Sequence, residues 1–172
     1  MGLTFKVGNP NDAFTEPFAE RVRSTLAHHY GPSVVLDSDE HPHHSQELGW
    51  SGWRLLQERA VKTLTAERVP HFLSMEAWCG CYVPAKTELG AFEFEGQPTP
   101  LAVASLPALI GELEAVGAAL GLPTEDEGLR ELAARYQDDD LIEDDMDIQT
   151  YAQLLLAARV AQRRQQVLWV VK

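Results

Sequence analysis

The chain has 172 residues, 45% of them hydrophobic and 23% charged, which suits one folded domain with a sizeable core and excludes wholesale disorder. Its net charge is −12 with a sequence pI near 4.8, so it carries the same sign as nucleic acid and anionic membranes and is not expected to bind either. No stretch approaches the run of about 18 apolar residues that spans a bilayer, and the first thirty residues lack the cationic start and apolar core of a secretion signal.

Lys6 stands where a myristoylation pattern needs Ser or Thr, and two cysteines one residue apart make no disulfide framework. A cytoplasmic protein is the expectation.

Leu3 to Val7 alternates as a short strand, and Gly8 to Asp12 reads as a turn. Thr15 is placed to cap a helix whose first turn holds Glu16 and Pro17 and whose buried stripe is Phe18, Val22 and Leu26. Gly31 and Pro32 end it after Tyr30. Ser33 to Leu36 predicts a second strand, and the polar run Asp37 to Glu47 a loop.

Trp50, Trp53, Leu56, Ala60 and Leu64 recur at helical spacing, with Ser51 as a cap and Pro70 as the stop. His71 to Met75 and Trp78 to Val83 read as strands, interrupted at Glu76 and Ala77. Leu89 to Glu95 alternates, Phe92 and Phe94 on one face and Glu93 and Glu95 on the other, as in an antiparallel strand with one wet side.

Beyond the Gln97–Pro100 connector the chain reads as helical almost to its end. One helix is capped by Ser105 and closed by Gly121, with Leu106, Leu109, Ile110, Leu113, Val116 and Leu120 inward. Thr124 with Glu127 has capping-box spacing and opens a helix using Leu129, Leu132, Ala133 and Tyr136. A last helix uses Ile148, Tyr151, Leu155 and Ala158, with Asp147 as its cap and Arg163 and Arg164 near its end. Val167 to Val171 predicts a terminal strand that returns to the sheet.

The expected class is α+β: a small, mainly antiparallel sheet from the N-terminal part, completed by a C-terminal strand and packed against about five helices. One domain over 1–172 is favoured, with a possible subdivision near 97–100 into a mixed 1–97 part and a mainly helical 98–172 part.

Four features are candidates for function. His41, His43 and His44 share a loop with Asp37, Asp39 and Glu40, and imidazole with carboxylate suits a divalent metal such as zinc. The pairs H-P-H, H-H and C-x-C depart from the spacing of structural zinc sites, and no HExxH is present. Cys79 and Cys81 share a strand face in an apolar stretch, where buried structural cysteine is the commoner outcome than redox chemistry.

The segment Asp138 to Asp147 carries seven carboxylates in ten residues. An EF-hand counted from Asp138 fails, because Glu143 and Gln149 occupy the positions of its glycine and bidentate glutamate. Asp138, Asp139, Asp140, Glu143, Asp144 and Asp145 instead form a candidate docking patch, with Leu141, Ile142 and Met146 for apolar grip. Trp50 and Trp53 share a helix face beside Gly49 and Gly52 and are core residues or a ligand-binding face.

No G-x-S-x-G, P-loop or G-x-G-x-x-G is present. The sequence therefore points to a non-enzymatic protein that binds a basic macromolecular partner through an acidic surface, as an inhibitor or immunity-type protein does, with no cofactor. The alternative is a metal-binding protein or metal-dependent hydrolase using the His-rich loop and an ion-activated water.

Overall fold

The run Val167–Val171 (VLWVV) is buried at every position, and the computed structural model shows why. It forms the central strand of a seven-stranded sheet covered on both faces. The structure describes residues 2–75, 79–135 and 145–172. The strands are β1 (Gly2–Gly8), β2 (His43–His44), β3 (Leu48–Gly49), β4 (Cys79–Val83), β5 (Gly90–Phe92), β6 (Leu101–Ser105) and β7 (Val167–Val171). The helices are α1 (Pro10–Ala13), α2 (Phe18–Tyr30), α3 (Trp50–Leu64), α4 (Pro70–Leu73), α5 (Leu106–Leu120), α6 (Asp126–Ala134) and α7 (Met146–Arg164). The class is α+β.

The strand order is β2-β1-β7-β4-β6-β5, with β3 also pairing β1. All strand pairs are antiparallel except β4 with β6. Alternation along β7 divides the core: Leu168 and Val170 join Tyr82 of β4 and Leu3, Phe5 and Val7 of β1 under α3, α5 and α7. Val167, Trp169 and Val171 join Cys81 and Val83 under α2, which contributes Val22 and Leu26. A strand buried on both faces has no polar side, hence the unbroken apolar run. The sheet draws strands from both sides of the Gln97–Pro100 connector.

β1, β7, the end of α2 at Tyr30, the Ser105 cap and Gly121 as a left-handed helix stop (φ +69°) agree with expectation. Among the described residues, no helix is long and apolar enough to cross a membrane.

Several local expectations are corrected. Pro10–Ala13 is a helical turn, its start tied by the Asp12 carboxylate accepting from the Asn9 N–H at 2.7 Å. α2 begins at Phe18 because Glu16, not the Thr15 side chain, accepts from the Glu20 N–H at 3.2 Å. Ser33 to Leu36 makes no strand: β7 already has β1 and β4 beside it, so Val35 bridges only to Gln166, just before β7 begins. α3 starts after Gly49, not Ser51, and stops at Leu64, short of Pro70.

His71 to Met75 has the pattern of a strand, yet Pro70 opens α4 there. Proline suits a first helical position, and the otherwise orphaned N–H groups of His71 and Phe72 donate to the Glu112 carboxylate of α5 at 3.0 and 2.7 Å. That cap comes from 40 residues away and has no local signature.

β5 covers only Gly90–Phe92 of the expected Leu89–Glu95, because Phe94 leaves the ladder to pack edge-on against Phe18 at 5.1 Å. β6 lies where the chain was expected to be helical; LAVAS is short, apolar and nearly all buried, so no alternation marks it. α6 starts after Glu125 rather than at a Thr124 cap. Asp147 lies within the first turn of α7 rather than capping it, and Asp145 takes the cap position.

Candidate functional site

The parallel pair β4–β6 ends at Val83 and Ser105, and a pocket of about 390 Å³ opens just beyond those carboxyl ends. His71, Lys86, Thr87, Ser105, Pro107 and Ala108 line it. Ligands favour such a place because loops and helix starts converge there over a rigid floor.

His71 is held at every polar atom but one. Its N–H donates to Glu112, and its carbonyl accepts from Tyr82 Oη at 3.1 Å and Ser74 Oγ at 2.7 Å. Its ring Nδ1 accepts from the Ser105 N–H at 3.0 Å. A ring nitrogen that accepts carries no proton, so His71 is the neutral tautomer with its proton on Nε2. Burial lowers its pKa. No described residue accepts from Nε2.

Ser105 joins three elements. Its Oγ donates to the Ala85 carbonyl at 3.0 Å and accepts from Ala108 N at 3.4 Å, capping α5, while its N–H holds His71. Its hydroxyl proton goes to a backbone carbonyl and not to a base, so the side chain serves here as a strut. Behind it, burial raises the Glu112 pKa, opposed by the two backbone N–H donors. Burial and the nearby Glu112 push the Tyr82 phenol up as well. Lys86 is exposed at the pocket mouth, in no ion pair with a described carboxylate. Thr87 exchanges a hydrogen bond with Tyr30 Oη at 3.1 Å.

No local pattern in the sequence marks this pocket. The residues around His71 have a strand-like pattern, and its partners stand 34 and 41 residues away. The one available signal was Ser105 as a helix cap.

The His-rich loop is ordered. Asn9 brackets Ser38 with two hydrogen bonds of 2.9 Å, and Arg164 donates to the His41 carbonyl at 2.8 Å while pairing with Glu40 at 2.8 Å. His43 faces Val7 and His44 faces Lys6 in the β1–β2 ladder, and neighbouring strand positions direct side chains to opposite faces. His43 is half-buried; burial, then the charge of Arg164, lowers its pKa. Among the described residues, no group of three or more His, Cys, Asp or Glu side chains is arranged to hold a metal ion.

Trp53 is core: 2% exposed, its Nε1 donating to the Met75 carbonyl at 3.1 Å and its ring 5.1 Å from Phe72. Trp50 is half-buried, and its buried Nε1 meets no acceptor among the described residues. Both line a pocket of about 410 Å³ with Ser51, Arg54 and Gln57. The tryptophans and the histidines attach to opposite ends of β1, since Leu48 pairs with Leu3 and His43 with Val7.

Asp138, Asp139, Asp140, Glu143 and Asp144 lie outside the described residues, as do Trp78 and Tyr136. Asp145 is partly exposed and makes no capping hydrogen bond with its side chain. Asp147 is turned inward and pairs with Arg59 of α3 at 2.5 Å. Cys81 is buried beneath α2, in β4 with Cys79.

No protein-family model matches the chain, and neither a curated protein nor a solved structure resembles it at a significant level.

Proposed function

We propose that this chain is a non-catalytic binding protein that docks a basic protein partner through its carboxylate-rich surface, in the manner of an inhibitor or immunity-type protein. The observation that carries the reading is how unevenly the cations are spent. Asp126 alone engages Arg130, Arg159 and Arg163, at 3.8, 2.8 and 3.1 Å. Asp39, Glu47, Glu67, Glu88, Glu93, Glu127 and Glu131 are exposed and lie in no ion pair among the described residues.

Six further carboxylates, Asp138, Asp139, Asp140, Glu143, Asp144 and Asp145, add to the negative charge, while Asp147 is spent on Arg59. A field of one sign steers an oppositely charged partner and rejects like-charged ones, nucleic acid included. The leucine, isoleucine and methionine within the segment supply the apolar contact that electrostatics alone lacks.

The test is capture of partners on the immobilised chain, with identification by mass spectrometry. A specific basic protein, released by salt and lost when Asp138, Asp139, Asp140, Glu143 and Asp144 are changed to their amides, is the expected result. Capture indifferent to both salt and neutralisation would remove the acidic surface from the account.

A further inference from the structure

We propose that the pocket between His71 and Lys86 is a binding site for the oxyanion group of a small molecule, a phosphomonoester or a carboxylate. The site is independent of the acidic docking surface.

Two side-chain donors belong to this pocket, and neither has a described acceptor. One is the Nε2–H of His71, its tautomer set by the bond from Ser105 N–H to Nδ1. The other is the Lys86 ammonium, which no described carboxylate neutralises. Both donate and neither accepts, so the complementary ligand is acceptor-rich and negative. The Thr87 hydroxyl, oriented by Tyr30, borders the same space. The first turn of α5 adds little, because Pro107 has no N–H and that of Ala108 is taken by Ser105 Oγ.

His71 is also rigid in a way a mere spacer does not need. Glu112, Tyr82, Ser74 and Ser105 hold its backbone and ring, from three different elements and a turn. A donor fixed before the ligand arrives loses little entropy on binding, which is how small polar sites gain affinity. Lys86, exposed on a flexible stem, lines the same pocket and supplies the positive charge. At about 390 Å³ the pocket falls at the small end of ligand sites, so the occupant is of metabolite size and not a peptide. The net charge of −12 opposes anions at long range, but beyond about 8 Å it is screened at physiological salt, whereas the two donors act at contact.

The experiment is an NMR titration of the full chain, following the His71 imidazole signals, with inorganic phosphate in one arm and acetate in the other. Saturable shifts in either arm, weakened at least about tenfold in Lys86→Met with an unchanged melting temperature, are the expected result. Saturation by phosphate alone assigns the phosphomonoester class; by acetate alone, the carboxylate class. Lys62→Met, an exposed lysine of α3, serves as the charge control and leaves the affinity as it was. The proposal is overturned if neither anion saturates the His71 signals. It is equally overturned if Lys86→Met binds as tightly as the parent chain, since His71 is then only a strut for Ser105.

Discussion

The N–H of Ser105, at the end of β6, donates to Nδ1 of His71 in α4 at 3.0 Å. The bond ties the junction of β6 and α5 to the short helix α4. It also holds the imidazole in one protonation state, since a proton on Nδ1 breaks it.

Stability should therefore depend on pH through His71. Its folded-state pKa lies below the ordinary 6.5 because of burial. Above 6.5 the ring is neutral in both folded and unfolded chains, and the full stability is present. As pH falls below that value the unfolded chain takes up the proton first, and stability declines until pH passes the folded-state pKa. His43 shifts in the same direction, by burial and then Arg164. Urea midpoints at about pH 7.5, 6.5 and 5.5 should fall in that order, less steeply in His71→Gln. An unchanged slope in that variant would contradict the assigned tautomer.

Glu112→Ala should be among the costlier single changes in α5. It strands the N–H groups of His71 and Phe72, the latter in a fully buried residue. Each unmade bond costs about 1–3 kcal/mol, and with part of that recovered by water a loss of roughly 2–4 kcal/mol is expected from denaturant unfolding. Glu112→Gln keeps an acceptor and should lose less than the alanine variant.

Gly52→Ala should loosen the contact between α3 and α7. A methyl group at Gly52 would sit 2.6 Å from both the Met146 carbonyl oxygen and Thr150 Oγ1, closer than atoms pack. One of the contacts is backbone and cannot rotate away, so the helices must separate. Overpacking of this kind costs about 1–3 kcal/mol, which outweighs the roughly 0.5–1 kcal/mol that alanine otherwise gains over glycine within a helix. A melting temperature equal to or above the parent's would refute the close approach.

Arg59→Met should unpair Asp147. The aspartate side chain is 8% exposed and the arginine 46%, so the pair lies between surface and buried cases. A fully exposed pair contributes about 0–1 kcal/mol and breaking a buried one costs about 3–5, which places this loss near 1–2 kcal/mol. Asp147 keeps its 2.9 Å bond from the Ile148 N–H. Adding Asp147→Asn should restore part of the loss, and a double-mutant cycle with no coupling would show the contact to be without weight.

What the sequence by itself determined is what local rules govern: β1, α2 to its stop at Gly31, the tryptophan-led α3, the Ser105 cap, α5 and the terminal strand. Each has a period, a cap or a breaker within a few residues. Tertiary structure decided the rest. α4 replaced a strand because Glu112 supplies its missing acceptors from α5. LAVAS became β6 because β4 and β5 flank it; unlike VLWVV, equally buried but rich in valine and tryptophan, its alanines and serine carry little strand preference of their own. The His71–Lys86 pocket was invisible for a different reason. Its parts lie far apart in the chain, and hydrogen bonds between residues 34 to 41 positions apart leave no trace in any local pattern.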